Sequence, residues 1–346
     1  MKMNKLGQTD ISVSRICLGT MTYGEQNTEA EGHAQMDMAV DHGVNFLDSA
    51  EMYSFPAKAE TYGRSEEVIG SWMKTRGNRD RVVVATKIAG PGARFQHIRD
   101  GNLKFNRTHM VQAVDDSLQR LQTDYIDLYQ THWPERPANY FGKLGYEHDA
   151  DAEFTPFDEV LEAMQTVKKT GKVRAFGVSN ETPWAVMEML RLSAAHDLPR
   201  MVTIQNPYSL INRSFEVGLG EIAIREDCGL FAYSPLGFGA LTGKYLGGAL
   251  PEGSRIKLFP NFQRNFTPRA VEATGRYVAL ARDHRLDPAQ MALAFVNSRD
   301  FLTSNIIGAT TMEQLAANLA SEELTLAPEV LDGIDAIHKD IPNPAP

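Results

Sequence analysis

Eight short apolar runs of β type alternate with amphipathic segments along the chain, and this alternation restricts the fold more than any other feature. The runs predict strands over residues 15–18, 44–48, 82–87, 126–132, 173–179, 203–205, 230–233 and 304–307. The segments between them predict helices over 29–42, 65–75, 108–121, 157–170, 183–196, 217–226, 268–299 (two helices, split near Asp287) and 312–319. Repeated strand–helix units build a parallel sheet, and eight of them close a (β/α)8 TIM barrel.

Residues at the ends of the helical segments agree with this pattern. Thr108 and Thr182 are typical helix starts, and Gly43, Gly77 and Gly171 follow helical segments as stop signals. A β-hairpin at about residues 2–6 and 11–14 precedes the barrel, and a helix at about 328–338 lies in a C-terminal tail that begins near 327. Because no linker or repeat interrupts the alternation, we expect one barrel domain over residues 1–346.

The long irregular segments all occupy the same type of connection. Residues 49–63, 89–107, 133–156 and 235–267 each follow a strand and precede a helix, whereas the links from helix to strand are brief. These long βα loops therefore gather at the carboxyl ends of the strands. In this fold that end carries the active site.

Composition excludes several classes of function. The net charge of −9 argues against a protein built around nucleic acid or an anionic membrane surface. Cys17 and Cys228 are too few for a disulfide framework. No apolar run approaches a membrane span, and the first residues lack the apolar core of a signal peptide. We expect a soluble cytoplasmic protein with a small-molecule partner, and self-association is left open.

Four polar residues follow strand-like runs at positions where a barrel would bring them together. Asp48, Lys87 and His132 close the second, third and fourth runs, and Tyr53 lies in the loop after Asp48. Each residue taken alone also has an ordinary structural explanation, as a helix cap, a solvated charge at the rim or a side chain of the core. Together they suit carbonyl reduction, which needs a proton donor at the oxygen while hydride reaches the carbon. We expect Tyr53 to donate that proton, Lys87 to lower the pKa of the phenol, Asp48 to orient Lys87, and His132 to bind the oxygen.

The segments around these residues resemble the signatures of the aldo-keto reductases. They are residues 43–53, 85–87 and 125–133, and segments 141–146, 205–210 and 308–311 are most similar to the bacterial Tas-like branch. The resemblance covers essentially the whole chain. It implies NADPH-dependent reduction of aldehydes and ketones to alcohols, with Tyr53 as the proton donor. Related branches also include weakly active regulatory subunits.

The cofactor site is not of the Rossmann type. Residues 19–24 lack the Gly-x-Gly-x-x-Gly pattern, and the glycine-rich segment 237–244 fails as a P-loop because Tyr245 stands where Ser or Thr would be. The resemblance instead makes 234–244 a loop that closes over the pyrophosphate. The helix start after 306–311 is a second place suited to phosphate.

Individual cofactor roles also follow from the resemblance. Ser179, Asn180 and Gln205 would bind the nicotinamide carboxamide, and Tyr233 would stack on its ring. The remaining candidates are Thr20, Met21, Ser234, Pro235, Leu236, Gly237, Phe238, Gly239, Ala240, Leu241, Thr242, Gly243 and Lys244, with Gly308, Thr310, Gln314 and Asn318 at the adenosine phosphate end.

The choice of NADP over NAD requires cations for the 2′-phosphate. Segment 308–318 contains no Lys or Arg, so we assign that role to Lys244 and Arg255, with Arg264 in reserve. Tyr23, Met52 and Trp133 are expected to form apolar walls of the substrate pocket, together with Tyr140 and Phe141. The nine histidines show no compact ligand spacing, so no metal site is expected.

Two other functions stay open at this point. A Schiff-base lyase on the same barrel could use Lys87 as its nucleophile, although Asp48 would keep that amine charged. A nicotinamide-binding subunit that senses redox state for another protein would retain the same residues with little turnover.

Overall fold

The computed structural model describes all 346 residues and contains a closed barrel of eight parallel strands. The barrel strands are β3 (Ile16–Gly19), β4 (Phe46–Asp48), β5 (Val83–Ile88), β6 (Ile126–Thr131), β7 (Val173–Ser179), β8 (Met201–Pro207), β9 (Gly229–Tyr233) and β10 (Leu302–Ile307). Each strand pairs with the next in sequence, and β10 pairs with β3 to close the ring. The predicted (β/α)8 TIM barrel is confirmed.

Helices surround the barrel between the strands. They are α1 (Glu29–Asp41), α2 (Arg64–Arg76), α3 (Arg107–Leu121), α4 (Phe157–Lys169), α5 (Pro183–His196), α6 (Leu219–Arg225), α7 (Arg255–Leu258), α8 (Pro268–Asp283), α9 (Pro288–Asn297), α10 (Met312–Ala320) and α11 (Pro328–Asp340). The short α7 was not predicted and lies inside the long loop after β9. None of the helices is long and apolar enough to cross a membrane.

Capping residues set most of the helix boundaries. Thr182 caps α5 by accepting a hydrogen bond from the Ala185 amide, as predicted. Asp287 caps α9 in the same way and separates it from α8. The prediction for α3 was wrong: Asn106, not Thr108, accepts the bond from the third amide of the helix. Both residue types make good caps, so sequence alone could not choose between them.

The amino-terminal end of the barrel is closed by a two-stranded antiparallel ribbon, β1 (Met3–Lys5) and β2 (Ser12–Ser14). Leu6 and Val13 of this hairpin are fully buried and pack with side chains of the barrel interior. The larger hydrophobic core lies between the strands and the surrounding helices. With one end plugged, only the carboxyl-terminal end of the strands, here called the mouth, is available for a site.

Candidate active site

Asp48 and Lys87 form a buried ion pair at the mouth. Their strands are hydrogen-bonded neighbours, with Asp48 level with Ala85. Lys87 Nζ donates to Asp48 Oδ2 at 2.8 Å and to the Ser49 carbonyl at 2.6 Å, and its side chain is fully buried. These contacts fix the amine in one position and leave its charge compensated, as a buried lysine requires.

Tyr53 and His132 lie beside this pair. Lys87 Nζ is 5.2 Å from the centroid of the Tyr53 ring. The rings of Tyr53 and His132 meet edge to face, with centroids 5.6 Å apart. The structure therefore brings the four residues expected to be catalytic into one cluster, although the chain separates the first from the last by more than eighty positions.

Burial determines the protonation of this cluster. It raises the pKa of Tyr53, and the Asp48 carboxylate raises it further, against a lowering by Arg255. The net shift of the Tyr53 pKa is therefore upward, opposite to the expected lowering, because the loss of solvent dominates. Burial, followed by the charge of Lys87, holds the pKa of His132 well below its usual range. Near neutral pH the site thus contains a neutral phenol, which can give a proton, and a neutral imidazole, which can donate one N–H.

The residues expected to hold nicotinamide are linked to the same cluster. Tyr233 Oη donates to Asn180 Oδ1 at 2.7 Å, and Asn180 Nδ2 donates to the His132 carbonyl at 2.9 Å. Ser179 Oγ donates to the Gln205 carbonyl at 2.8 Å. A direct chain of hydrogen bonds therefore runs from the ring proposed to stack on nicotinamide to the backbone of His132.

The loop after β9 presents cations that have no carboxylate partner. The guanidinium groups of Arg255 and Arg264 lie 5.2 and 5.6 Å from the ring centroid of Phe238. Lys244 Nζ lies 5.2 Å from the ring of Tyr245. Lys257 of the same loop pairs with Glu252. None of the ion pairs of the chain includes Lys244, Arg255 or Arg264. Burial lowers the pKa of Arg255, so this cation is poorly solvated as well as unpaired.

Other polar atoms in this loop also lack partners. Tyr245 Oη, Ser254 Oγ and Arg264 Nε are buried without a hydrogen bond. Gly239 adopts a φ of +88°, a left-handed backbone conformation that favours glycine. Unpaired cations and free polar atoms around a tight glycine turn fit the phosphates of a dinucleotide.

The β10–α10 connection is arranged around Thr310. Its amide donates to Gln314 Oε1 at 3.0 Å, and Asn318 Nδ2 donates to the Gly308 carbonyl at 3.2 Å. Thr311 caps α10. The four residues expected at the adenosine phosphate end thus form two hydrogen-bonded pairs within this connection.

Sequence reasoning missed two amides in the loop after β3. Asn27 Nδ2 donates to the Thr310 carbonyl at 3.0 Å, and Gln26 Nε2 donates to the Gly253 carbonyl at 3.1 Å. They connect the first βα loop to the β10–α10 connection and to the later part of the loop after β9, and their side-chain oxygens are buried without partners. Neither has a sequence signature, because isolated amides in loops carry no pattern.

Candidate pocket residues divide into two groups. Met52 and Trp133 are buried in a cluster beside Tyr53, and the Trp133 ring lies 4.8 Å from His132 and 5.9 Å from Phe141. The structure does not bring Tyr23 to this cluster: it is fully buried, with its hydroxyl bonded to Gln35 of α1.

Thr20 and Met21 face the adjoining loop. Thr20 Oγ1 donates to the Asp48 carbonyl at 3.0 Å, and the Met21 carbonyl accepts from the Phe55 amide at 2.9 Å. Both contacts brace the segment that carries Tyr53.

Comparison with known proteins agrees with this geometry. The model of the Aldo/keto reductase family matches residues 15–339. The chain belongs to the aldo/keto reductase family. It is 49% identical to "Protein tas" of Escherichia coli (strain K12) over the full length of both chains.

More distant relatives of the chain are named for different functions. The chain is 30% identical to the "NADH-specific methylglyoxal reductase" of Escherichia coli (strain K12), covering 94% of this chain and 95% of that protein. It is 31% identical to a "Probable voltage-gated potassium channel subunit beta" of Oryza sativa subsp. japonica, covering 99% and 98%. Membership of the family indicates an oxidoreductase with a nicotinamide cofactor.

Proposed function

We propose that this aldo/keto reductase uses NADPH to reduce aldehydes and ketones to alcohols, with Tyr53 as the proton donor. One observation carries the proposal: the Asp48–Lys87 ion pair, the Tyr53 ring and the His132 ring form a single cluster at the barrel mouth. Those four groups supply an acid, its charge partner and a neutral hydrogen-bond donor, which is what protonation of a carbonyl oxygen requires.

Each residue has a distinct task in this reaction. Bound nicotinamide would supply the hydride to the carbonyl carbon. His132 donates a hydrogen bond to the carbonyl oxygen and holds it near Tyr53, which gives up its phenolic proton as charge develops there. Lys87, held by Asp48, stabilises the phenolate that remains. The buried groups around it exclude water, so these charges act at short range.

The unpaired cations of the loop after β9 support NADPH over NADH. Lys244, Arg255 and Arg264 have no carboxylate partner, and a 2′-phosphate is the group that distinguishes the two cofactors. A relative is named as NADH-specific, so the preference must come from residues that differ between members. The two buried free thiols, Cys17 and Cys228, support a reducing compartment such as the cytoplasm.

Stopped-flow oxidation of bound NADPH by a panel of aldehydes and ketones tests the assignment. We expect wild type to oxidise NADPH with at least one carbonyl, and Tyr53→Phe to lose about 10²- to 10⁴-fold of the rate while its NADPH affinity stays the same. The proposal would be wrong if wild type oxidised NADPH no faster than Tyr53→Phe with any carbonyl of the panel.

A second candidate is a nicotinamide-binding regulatory subunit with little turnover. Its support is the 31% identity to the Oryza sativa protein named as a probable voltage-gated potassium channel subunit beta. In that case NADPH would bind tightly and single-turnover rates would be very slow with every carbonyl. The same stopped-flow panel therefore separates the two candidates.

A Schiff-base lyase receives less support. Lys87 Nζ already donates to Asp48 and to the Ser49 carbonyl, and its side chain is fully buried. A nucleophilic amine needs a free lone pair and access to the substrate. Failure of borohydride to trap an adduct on Lys87 is the expected result.

A further inference from the structure

Glu51 connects the loop that carries Tyr53 to the strand end that carries Lys87. Its side chain is fully buried, two residues before Tyr53. Glu51 Oε1 accepts from the Ala89 amide at 2.6 Å, two residues beyond Lys87, and the Glu51 amide donates to the Lys87 carbonyl at 3.2 Å. The residue is therefore bonded through its backbone to Lys87 and through its side chain to Ala89.

Arg99 completes this connection from the long loop between β5 and α3. Its two terminal nitrogens reach the two carboxylate oxygens of Glu51 at 2.7 Å each, which is a bidentate pair. The side chains of Arg99 and Glu51 are 4% and 0% exposed. A buried carboxylate held by two nitrogens and one amide has little freedom to move.

We propose that Glu51, held by Arg99, is a positioning residue that sets the place of Tyr53 relative to Lys87. This inference rests on the proposed role of Tyr53 as proton donor. Glu51 acts through the backbone of residues 51–53. Displacement of a reacting group by about 1 Å can cost roughly 100-fold in rate, so a modest movement of this loop should be visible in turnover.

The other end of the barrel offers a matched control. Asp127 is also buried on these strands: Oδ2 accepts from the Val84 amide at 2.9 Å and from Arg79 at 2.8 Å, and Oδ1 accepts from Arg174 at 2.7 Å. Like Glu51, Asp127 is a buried carboxylate that binds arginine and a backbone amide. It lies near the amino-terminal ends of the strands, away from the mouth. A purely structural role for Glu51 would make the two carboxylates equivalent.

The experiment compares Glu51→Gln with Asp127→Asn in the full chain. Removing one partner of a buried pair leaves an uncompensated charge and destabilises, so the double variant Glu51→Gln/Arg99→Met is included because it leaves neither charge. Four quantities are measured for each: the unfolding midpoint, NADPH affinity by fluorescence titration, kcat with its solvent deuterium isotope effect, and amide hydrogen exchange over residues 49–56.

We expect Glu51→Gln to lower kcat about 10- to 100-fold, raise the solvent isotope effect and speed exchange over 49–56, with NADPH affinity unchanged. The double variant should regain thermal stability but keep the slow kcat. Asp127→Asn should lower the unfolding midpoint without changing kcat, isotope effect or exchange at 49–56.

Two results distinguish the inference from the proposed function. Exchange over 49–56 in Glu51→Gln that matches wild type would overturn the inference, whether or not the protein reduces carbonyls. Equal loss of kcat in Glu51→Gln and Asp127→Asn would also overturn it, because stability alone would then explain the loss. A wild type that reduces no carbonyl would end the proposed function, while the exchange comparison would still decide whether Glu51 holds the loop.

Discussion

The side-chain amide of Gln205 donates a hydrogen bond to Asp48 Oδ1 at 2.9 Å, while the other oxygen of Asp48 binds Lys87. Gln205 was expected only to hold the nicotinamide carboxamide. Its position gives it a second contact, with the carboxylate that orients Lys87. In the proposed reaction, the nicotinamide contact and the orientation of Lys87 would therefore both depend on the Gln205 side chain.

Replacing Gln205 by Leu should lower kcat by about tenfold. The loss of a hydrogen bond to a charged group costs roughly 1.5–3 kcal/mol, and part of this loss weakens the orientation of Lys87 by Asp48. Steady-state kinetics with NADPH and a reducible carbonyl will measure it. Gln130→Leu is the matched control, because its amide lies 3.5 Å from Asp48 Oδ1, too far for a strong bond. Equal effects of the two substitutions would contradict the assignment.

His132 should make stability depend on pH in mildly acidic solution. Its folded pKa lies below the unfolded value because of burial and Lys87, so the unfolded chain binds the proton more readily. Stability is then fully present above the unfolded pKa of about 6.5 and falls with decreasing pH, by up to about 1.4 kcal/mol per pH unit. Urea unfolding between pH 8 and 5 measures the slope. His132→Asn should show a smaller slope, and identical slopes would contradict this account.

Arg255→Ala should weaken NADPH binding by about 10- to 100-fold, the loss expected for a charge-assisted hydrogen bond of roughly 1.5–3 kcal/mol, and leave NADH affinity nearly unchanged. Fluorescence titration with both cofactors will check this. Lys257→Ala serves as the control, since Lys257 lies in the same short helix but is already paired with Glu252. Equal losses of NADH and NADPH affinity would show that Arg255 does not bind the 2′-phosphate.

Asn106→Ala should lower the free energy of unfolding by about 1 kcal/mol, because it removes the side-chain cap of α3. Thr108→Ala should change it by much less, since Thr108 is exposed inside the helix. Chemical denaturation measures both. A larger loss in the Thr108 variant would show that the boundary predicted from sequence was the better one.

The barrel and the four clustered residues could be predicted because both depend on patterns along the chain. Strand and helix periods give the order of elements, and a residue that ends a parallel strand must lie at the mouth, so Asp48, Lys87 and His132 converge. The start of α3 was predicted wrongly, because Asn106 and Thr108 are both residue types that cap helices and lie only two positions apart.

Properties that depend on three-dimensional surroundings were not accessible from sequence. The raised pKa of Tyr53 comes from its burial, which no local pattern reports. Glu51 and Arg99 are 48 positions apart, and nothing in either segment marks them as partners. The short helix α7 and the stacking of Arg255 on Phe238 arise in a loop without periodicity.

In the proposed carbonyl reduction, the antiparallel ribbon that plugs the amino-terminal end of the barrel would also govern how the site recovers between turnovers. Leu6 and Val13 are fully buried there, so bulk water would approach Tyr53 from the mouth and not through that end. The proton that replaces the one given up must then arrive through the same opening by which the alcohol departs. Reloading the acid and clearing the product therefore share one route, and each turnover must complete both before the next carbonyl enters.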